Sequence, residues 1–343
     1  FLGPQQDAKY MIREITQDEL EIALGQMGKG KALGVDLFDI QLFQRTTPLM
    51  KQTLKGILNA SLRWECVPPK WLEGMITLVP KGEDAIPTLE KVRPITLLNH
   101  TSKLQTQIIL LNRLEPIFRE NQILHPSQEC AIKGGGTISN RFIRDAIIAD
   151  ANMSKRGVWT FDGDFTKAYD SVEKWALQKA YMRVGIPNQV VQYLLKFTYG
   201  GESKVILPWG LTQGFVGERG VRQGEVLSPL AWCVFMDPLV CAQNGYGEGY
   251  SFENDGVAIK GTAYMDDTTW YAHTKGEIQQ RVKMHQQWAN YVGIKINWGK
   301  STLMQKGVAK GGGGITCGGQ EINVIGVNDN FKYLGIHLNM GEK

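Results

Sequence analysis

The sequence predicts an α+β fold, and three observations carry that prediction. Stretches with the 3.6-residue period of a half-buried helix are interspersed with short runs of β-branched and aromatic residues. The two kinds do not alternate as regular βαβ units, which favours α+β over a doubly wound sheet. The 343 residues, 43% hydrophobic and 21% charged, suffice for two or three subdomains around a sizeable core.

The elements follow in order. ITQDELEIALGQM reads as a helix: Thr16 and Glu19 form a capping box, Ile15 can staple onto Leu20, and Leu20, Ala23, Leu24 and Met27 line one face. It runs into GKGKALGVD, a loop rich in Gly and Lys. Gly25, Gly30 and Lys31 fit G-x-x-x-x-G-K, but Ala32 follows where Ser or Thr is needed and a helix precedes where a strand is needed, so a phosphate-binding P-loop is rejected. WLEGMITLVPK (71–81) reads as a strand ending at Pro80, and VRPITLL as a second. The helix after it buries Leu104, Ile108, Leu111 and Leu114. KGGGT (133–137) is a loop before a helix that reaches about Asp150, and VWTFDGDF (158–165) is a strand.

Beyond that strand, Asp170 and Glu173 are expected to cap a helix whose stripe is Val172, Trp175, Ala176, Ala180 and Val184. GVRQGEVLSP leads into a helix with Ser228 as N-cap and Pro229 in its first turn. Its LAWCVFM segment is apolar all round and should be buried. In AYMDDTTWYA (263–272), β-formers flank a carboxylate pair, which reads as a hairpin whose tight turn is Asp266-Asp267. Gly311 to Gly314 mark a hairpin tip. No internal repeat and no long low-complexity linker interrupts the chain.

The net charge of +4 permits a nucleic-acid partner without demanding one, and basic residues come in short groups (Lys29 and Lys31; Lys155 and Arg156). Five scattered cysteines with no C-x-x-C suggest neither a zinc site nor a disulfide framework, and a reducing compartment is the default. The longest apolar run, Leu230 to Met236, is far short of a membrane span, and the opening residues lack a signal-peptide pattern. The histidines have no metal-binding spacing and read as core or surface residues.

Three stretches call for one explanation: FDGDFTKAYD, with Asp164 at a strand exit; GVRQGEVLSPL; and the hairpin with Asp266 and Asp267. The carboxylates lie far apart in sequence, so only a fold can join them. Mg²⁺ is typically held by one or two carboxylates, with water and substrate phosphates as the remaining ligands. A two-metal site clamps the attacking and leaving oxygens of a displacement.

These stretches resemble those of a reverse transcriptase, most closely the LINE-type (non-LTR) retrotransposon enzymes. ITQDELEIALGQMGKGKALGVD resembles the N-terminal helix and Lys-Gly loop of that group, and WLEGMITLVPKGEDAIPTLEKVRPITLLNHTSKL its fingers segment. HPSQECAIKGGGT, DFTKAYDSV, GVRQGEVLSPL, YMDD, VGIKINWGKS and KYLGIHL resemble the segments that follow, in the family's order. Glu225 departs from the pattern, standing where a small residue or Cys is usual.

The resemblance implies a right-hand polymerase fold: fingers over 1–155, a palm over 156–325 with a fingers return near 185–215, and a palm–thumb junction over 326–343 without a thumb. The palm sheet would be antiparallel and covered by helices. The implied activity is RNA-directed DNA polymerase, adding dNTPs to a primer 3′-hydroxyl by two-metal nucleotidyl transfer. Asp164, Asp266 and Asp267 would ligate Mg²⁺, with Mn²⁺ able to substitute. Lys300 would protonate the leaving pyrophosphate, and Lys81 and Arg93 would grip the triphosphate. Phe165 and Tyr169 would contact the incoming nucleotide, Tyr169 beneath its sugar, and Gln223 and Gly224 would form a floor under nucleotide and template base. Asp162 reads as a solvated or turn residue and Asp170 as a structural cap.

Implied partners are an RNA template, a DNA or RNA primer and dNTPs, in nucleus or cytoplasm and not at a membrane. The rival readings are a group II intron or telomerase-like reverse transcriptase and a catalytically silent RNA-binding module. The presence of all three Asp residues argues against the silent module. Tyr169 and the Tyr-Met-Asp-Asp wording argue against an RNA-dependent RNA polymerase.

Overall fold

A computed structural model describes residues 7–82, 88–128, 130, 136–253, 256–307, 314–325, 330–333 and 336–339. The strands, in chain order, are β1 Gly74–Pro80, β2 Val92–Leu98, β3 Val158–Gly163, β4 Glu202–Leu207, β5 Gly210–Leu211, β6 Phe215–Val216, β7 Tyr250–Ser251 and β8 Ala258–Ile259. They continue with β9 Gly261–Tyr264, β10 Asp267–Ala272, β11 Thr302–Lys306, β12 Thr316–Cys317, β13 Gln320–Glu321, β14 Asn323–Ile325, β15 Asn330–Tyr333 and β16 Ile336–Asn339. The chain forms two compact units, one of Phe1–Ile123 with Val172–Trp232, the other of Leu124–Ser171 with Cys233–Lys343. Helices and sheets are mixed in both, as the α+β expectation requires.

In the first unit the sheet order is β2-β1-β4-β5, with β6 also on β4. β1 and β2 are antiparallel from Gly74↔Leu98 to Pro80↔Val92, and β4 lies parallel to β1. The helix Gln17–Gln26 starts at the expected capping box: Thr16 Oγ1 accepts from the Glu19 N–H at 3.3 Å, and the Glu19 carboxylate accepts from the Thr16 N–H at 3.0 Å. Leu20, Ala23 and Leu24 are buried beneath it. The expected single helix after β2 is three pieces: His100–Ile109, a π-helical turn at Leu110–Leu114, and Glu115–Glu120. The wide turn carries Arg113, which is buried and paired with both oxygens of Glu19.

Two caps differ from expectation. Asp170 does not start a long helix; Tyr169–Ser171 is a 3₁₀ turn, closed by the Ser171 hydroxyl donating to the carbonyls of Thr166 (3.3 Å) and Lys167 (2.9 Å). The helix itself is Lys174–Arg183, follows Glu173 without a side-chain cap, and leaves Trp175 40% exposed. Ser228 is already the first residue of the helix Ser228–Gly245, and its hydroxyl donates back to the Arg222 carbonyl at 2.7 Å. The LAWCVFM segment is buried throughout, as expected.

The second unit is built on the sheet β14-β11-β3-β10-β9. β3 is central and antiparallel to both β10 and β11. Trp159, Phe161, Trp270 and Tyr271 are buried in this unit, and the helix Lys275–Val292 packs on β3 and β10. Near the helix Thr137–Ser154, Ile147 and Ala151 join Val158, Tyr250 and Tyr271 in one apolar cluster. Most of KGGGT and the residues 311–313 of the expected hairpin tip lie outside the described residues. None of the five cysteines is in a disulfide. Among the described residues no helix is long and apolar enough to cross a membrane.

Candidate active site

In the second unit β3 ends at Gly163 and delivers Asp164. Gly163 has no room for a side chain: a Cβ would lie 2.8 Å from His285 Cε1 and 3.1 Å from Thr268 Oγ1. The main chain of Asp164 is clamped from the other side. Its N–H donates to Ser301 Oγ at 3.1 Å, and its carbonyl accepts from the Asn297 N–H at 2.8 Å. This 297–301 turn also carries Lys300, whose own N–H donates to the Asn297 carbonyl.

The β9–β10 hairpin supplies the other two carboxylates. Its turn is Met265-Asp266 instead of the expected Asp266-Asp267, because Asp267 pairs with Tyr264 as the first residue of β10. Met265 has a φ of 56°, a left-handed conformation that is uncommon outside glycine. Gln128, fully buried, grips the Met265 main chain in both directions: its Oε1 accepts from the Met265 N–H at 3.2 Å, and its Nε2 donates to the carbonyl at 3.4 Å.

These residues feel one another. The Asp267 carboxyl is pushed up to about 6, first by loss of water around it and then by the charges of Asp266, Asp164 and Asp162. Asp267 as a whole residue is exposed, so the neighbouring charges are the stronger cause. Burial raises Asp266 as well, opposed by its own backbone amide and by Lys300. Asp164, Asp266, Asp267 and Lys300 are thus brought into one electrostatic neighbourhood.

Among the described residues no group of three or more His, Cys, Asp or Glu is arranged to hold a metal ion by itself. A cage is not what Mg²⁺ requires, since it takes one or two carboxylates and completes its shell with water and phosphate. Crowded, hard-oxygen carboxylates whose mutual repulsion raises a pKa are a donor set that fits such a cation.

Two aromatic residues flank the carboxylates. Tyr169 is partly buried, its hydroxyl 4.0 Å from the Met265 sulfur. Its phenol is held well above the usual range by burial, then by Cys233, Cys130 and Asp266. Phe165 lies in the core, 4% exposed, with its ring stacked on His285 at a centroid distance of 4.8 Å.

Asp162 corrects the sequence reading. It is not in a turn but lies on β3, its side chain only 20% exposed and paired with Arg144, whose side chain is fully buried. Sequence reasoning also missed Gln128 and Arg144. For Arg144 a signal existed, since 144, 147 and 151 share one helical face with two apolar residues.

The remaining expected residues belong to the first unit. Arg93 on β2 faces Val79 in register, and the Lys81 N–H donates to the Lys91 carbonyl at 2.8 Å; both side chains are exposed. The Gln223 carbonyl accepts from the Thr96 N–H at 2.6 Å. Gly224 has a φ of 115°, and a Cβ there would stand 2.5 Å from the Thr96 carbonyl oxygen, so the loop lies flat on β2 and only Gly fits. Gly224, Thr96, Lys31, His100 and Lys103 line a cavity of about 390 Å³. The neighbouring Glu225 is buried; burial pushes its carboxyl up against the opposing pull of Thr106, the Leu227 N–H, Arg222 and Lys103.

The family model for reverse transcriptase (RNA-dependent DNA polymerase) matches residues 79–338. The chain is similar to the 149 kDa protein of transposon TX1 from Xenopus laevis, 26% identical over 296 residues that cover 86% of this chain and 22% of that protein. It is similar to the Pol polyprotein of a type-1 retrotransposable element R2 from Nasonia vitripennis, 24% identical and covering 98% of this chain and 32% of that one. Both agree with the LINE-type resemblance. The chain spans about a fifth to a third of the length of these curated relatives. A solved apo telomerase from Candida tropicalis superimposes with a TM-score of 0.46 at 14% identity, over 80% of this chain and 58% of that one.

Proposed function

The chain belongs to the reverse transcriptase (RNA-dependent DNA polymerase) family, and from that membership we propose that it is an RNA-directed DNA polymerase of the LINE type with a right-hand fold. The reaction adds a dNTP to a primer 3′-hydroxyl: the hydroxyl oxygen attacks the α-phosphorus and pyrophosphate leaves. The observation that carries the reading is the convergence of Asp164, Asp266 and Asp267, a strand exit and a hairpin of one sheet, into a single cluster of mutually repelling carboxylates.

Mg²⁺, or Mn²⁺ in its place, would be held by these carboxylates. When bound it supplies charge stabilisation to the attacking and leaving oxygens. The chain's own residues do the rest. Lys300, whose charge reaches Asp266, would give a proton to the departing pyrophosphate. Tyr169 would pack its ring against the sugar, filling the space of a 2′-hydroxyl, and so select deoxyribose. In the first unit, Lys81 and Arg93 are exposed cations suited to triphosphate oxygens, Arg93 in two-pronged fashion. Gln223 and Gly224, held flat on β2, would support the nucleotide and template base. Fingers over 1–155, a palm over 156–325 and a palm–thumb junction over 326–343 are part of the same proposal.

Primer extension on a homopolymer RNA template tests it, with dNTPs compared against NTPs. Extension with dNTPs that stops with EDTA and returns with Mg²⁺ or Mn²⁺ is expected. An active chain that prefers NTPs would replace the reading with an RNA polymerase, and one that binds template yet never extends would make it an RNA-binding module.

A further inference from the structure

Arg144 extends from the helix Thr137–Ser154 on the face shared with Ile147 and Ala151, and its side chain is fully buried. Its guanidinium donates twice to Asp162, at 2.8 Å to Oδ1 and 3.1 Å to Oδ2. Asp162 sits on β3 two residues before Asp164. In register it faces Thr269 of β10 and Thr302 of β11. Both hydroxyls donate to its carboxylate, Thr269 at 2.7 Å and Thr302 at 3.4 Å. One carboxylate therefore ties a helix to three strands: β3, which delivers Asp164; β10, which opens with Asp267; and β11, which follows the turn of Lys300.

Stability alone does not account for this arrangement. Arg144 is fully buried and the Asp162 side chain 20% exposed; burying such a cation costs several kcal/mol before attraction is counted, and well-packed apolar residues of similar volume often do as well. What a two-pronged Arg–carboxylate pair supplies is fixed geometry. We propose that Arg144 is a positioning residue which, through Asp162, fixes β3, β10 and β11 in register and so sets the spacing of Asp164, Asp266 and Asp267 toward a divalent cation. This rests on the reading of those three carboxylates as the cation's ligands. Supporting contacts behind metal ligands carry weight comparable to the ligands, and their loss typically weakens binding or activity about 10- to 100-fold.

The test uses the full chain and Mn²⁺ as the probe. Free Mn²⁺ is read by electron paramagnetic resonance, beside melting temperature, kcat and KM for dNTP on an RNA template. Arg144→Met/Asp162→Asn removes both charges together, and Arg144→Lys keeps the charge but loses the second prong, so one serves where the other fails to fold. The expected result is Mn²⁺ affinity about 10- to 100-fold weaker, with kcat falling in parallel and KM for dNTP little changed. Wild-type Mn²⁺ affinity and kcat, with only the melting temperature moved, would make the pair a stability element and overturn the proposal. Asp266→Asn separates the two readings. If it leaves Mn²⁺ affinity intact, the carboxylates are not the site and the proposal falls with them. If the wild type binds Mn²⁺ but extends no primer, the polymerase reading fails and the Mn²⁺ comparison still decides the role of Arg144.

Discussion

Asp266→Asn keeps the shape of the hairpin turn and removes one charge from the carboxylate cluster. Extension is expected to fall by several orders of magnitude while template binding in a filter assay stays near wild type; extension at a tenth of the wild-type rate would refute the assignment. Tyr169 makes a second residue-scale claim. An unpartnered buried polar group costs roughly 1–3 kcal/mol, so the ring should discriminate against a ribose about 5- to 150-fold. Tyr169→Val should raise ribonucleotide use by that order and leave dNTP extension within a few-fold. Equal losses for both sugars would make the residue an ordinary core aromatic. His285 gives a pH prediction. It is wholly buried, accepts a hydrogen bond from Trp270 Nε1 at 3.4 Å, and burial pulls its pKa down to about 3. The unfolded chain therefore takes up a proton near pH 6.5 that the folded chain refuses until about pH 3. The contribution is complete above pH 6.5 and is lost as pH falls towards 3, by several kcal/mol at about 1.4 per unit. His285→Gln should flatten the denaturant midpoint against pH between about 3 and 6.5, whatever its offset. Short sequence motifs point to Asp164, Asp266 and Tyr169, and the fold brings them into one neighbourhood. Gln128 was not legible in the sequence, and for Arg144 only its place on an apolar helix face was; that its partner is Asp162 is specified by nothing in its neighbouring sequence.

Elements were legible to the degree that their cause is local. The helix Gln17–Gln26 is set by its own capping box, and β1, β2 and β3 by their own runs of strand formers. The π turn at Leu110–Leu114 answers to the distant pairing of Arg113 with Glu19, which no period reveals. The 3₁₀ turn at Tyr169–Ser171 likewise displaced a plausible cap. The hairpin turn slipped by one residue because pairing of Tyr264 with Asp267 outranked the preference of Asp for turns. This yields a prediction at the same scale. A β-branched residue tolerates a left-handed backbone poorly, at a cost of about 1–2 kcal/mol. Met265→Val should lower the melting temperature and extension together, while Met265→Gly should hold the melting temperature. Matching melting curves for Met265→Val and the wild type would show that the turn has another conformation open to it.

At the scale of the whole molecule, charge and family membership were readable from the sequence. The balance of +4 hides how the cations are placed: Lys29, Lys31, Lys81, Arg93 and Lys155 are all exposed. If they meet a single-stranded template, each phosphate contact adds about −0.7 to the slope of log affinity against log salt. Alanine at any one of them should reduce the measured slope by roughly that amount, equally for templates of different sequence. An affinity indifferent to salt would remove these residues from the template path. The bounds of the two compact units are set by contacts between stretches far apart in sequence.

Each unit is assembled from two separate stretches, and the chain passes between them after Ile123, after Ser171 and after Trp232, the last time within the helix Ser228–Gly245. Any single recombination breakpoint inside the chain therefore divides at least one unit between two parents. Halves exchanged with a distant relative would meet a partner stretch that had never been selected to pack against them. Inheritance should treat the two units as one block, with recombinant joints surviving only between close relatives.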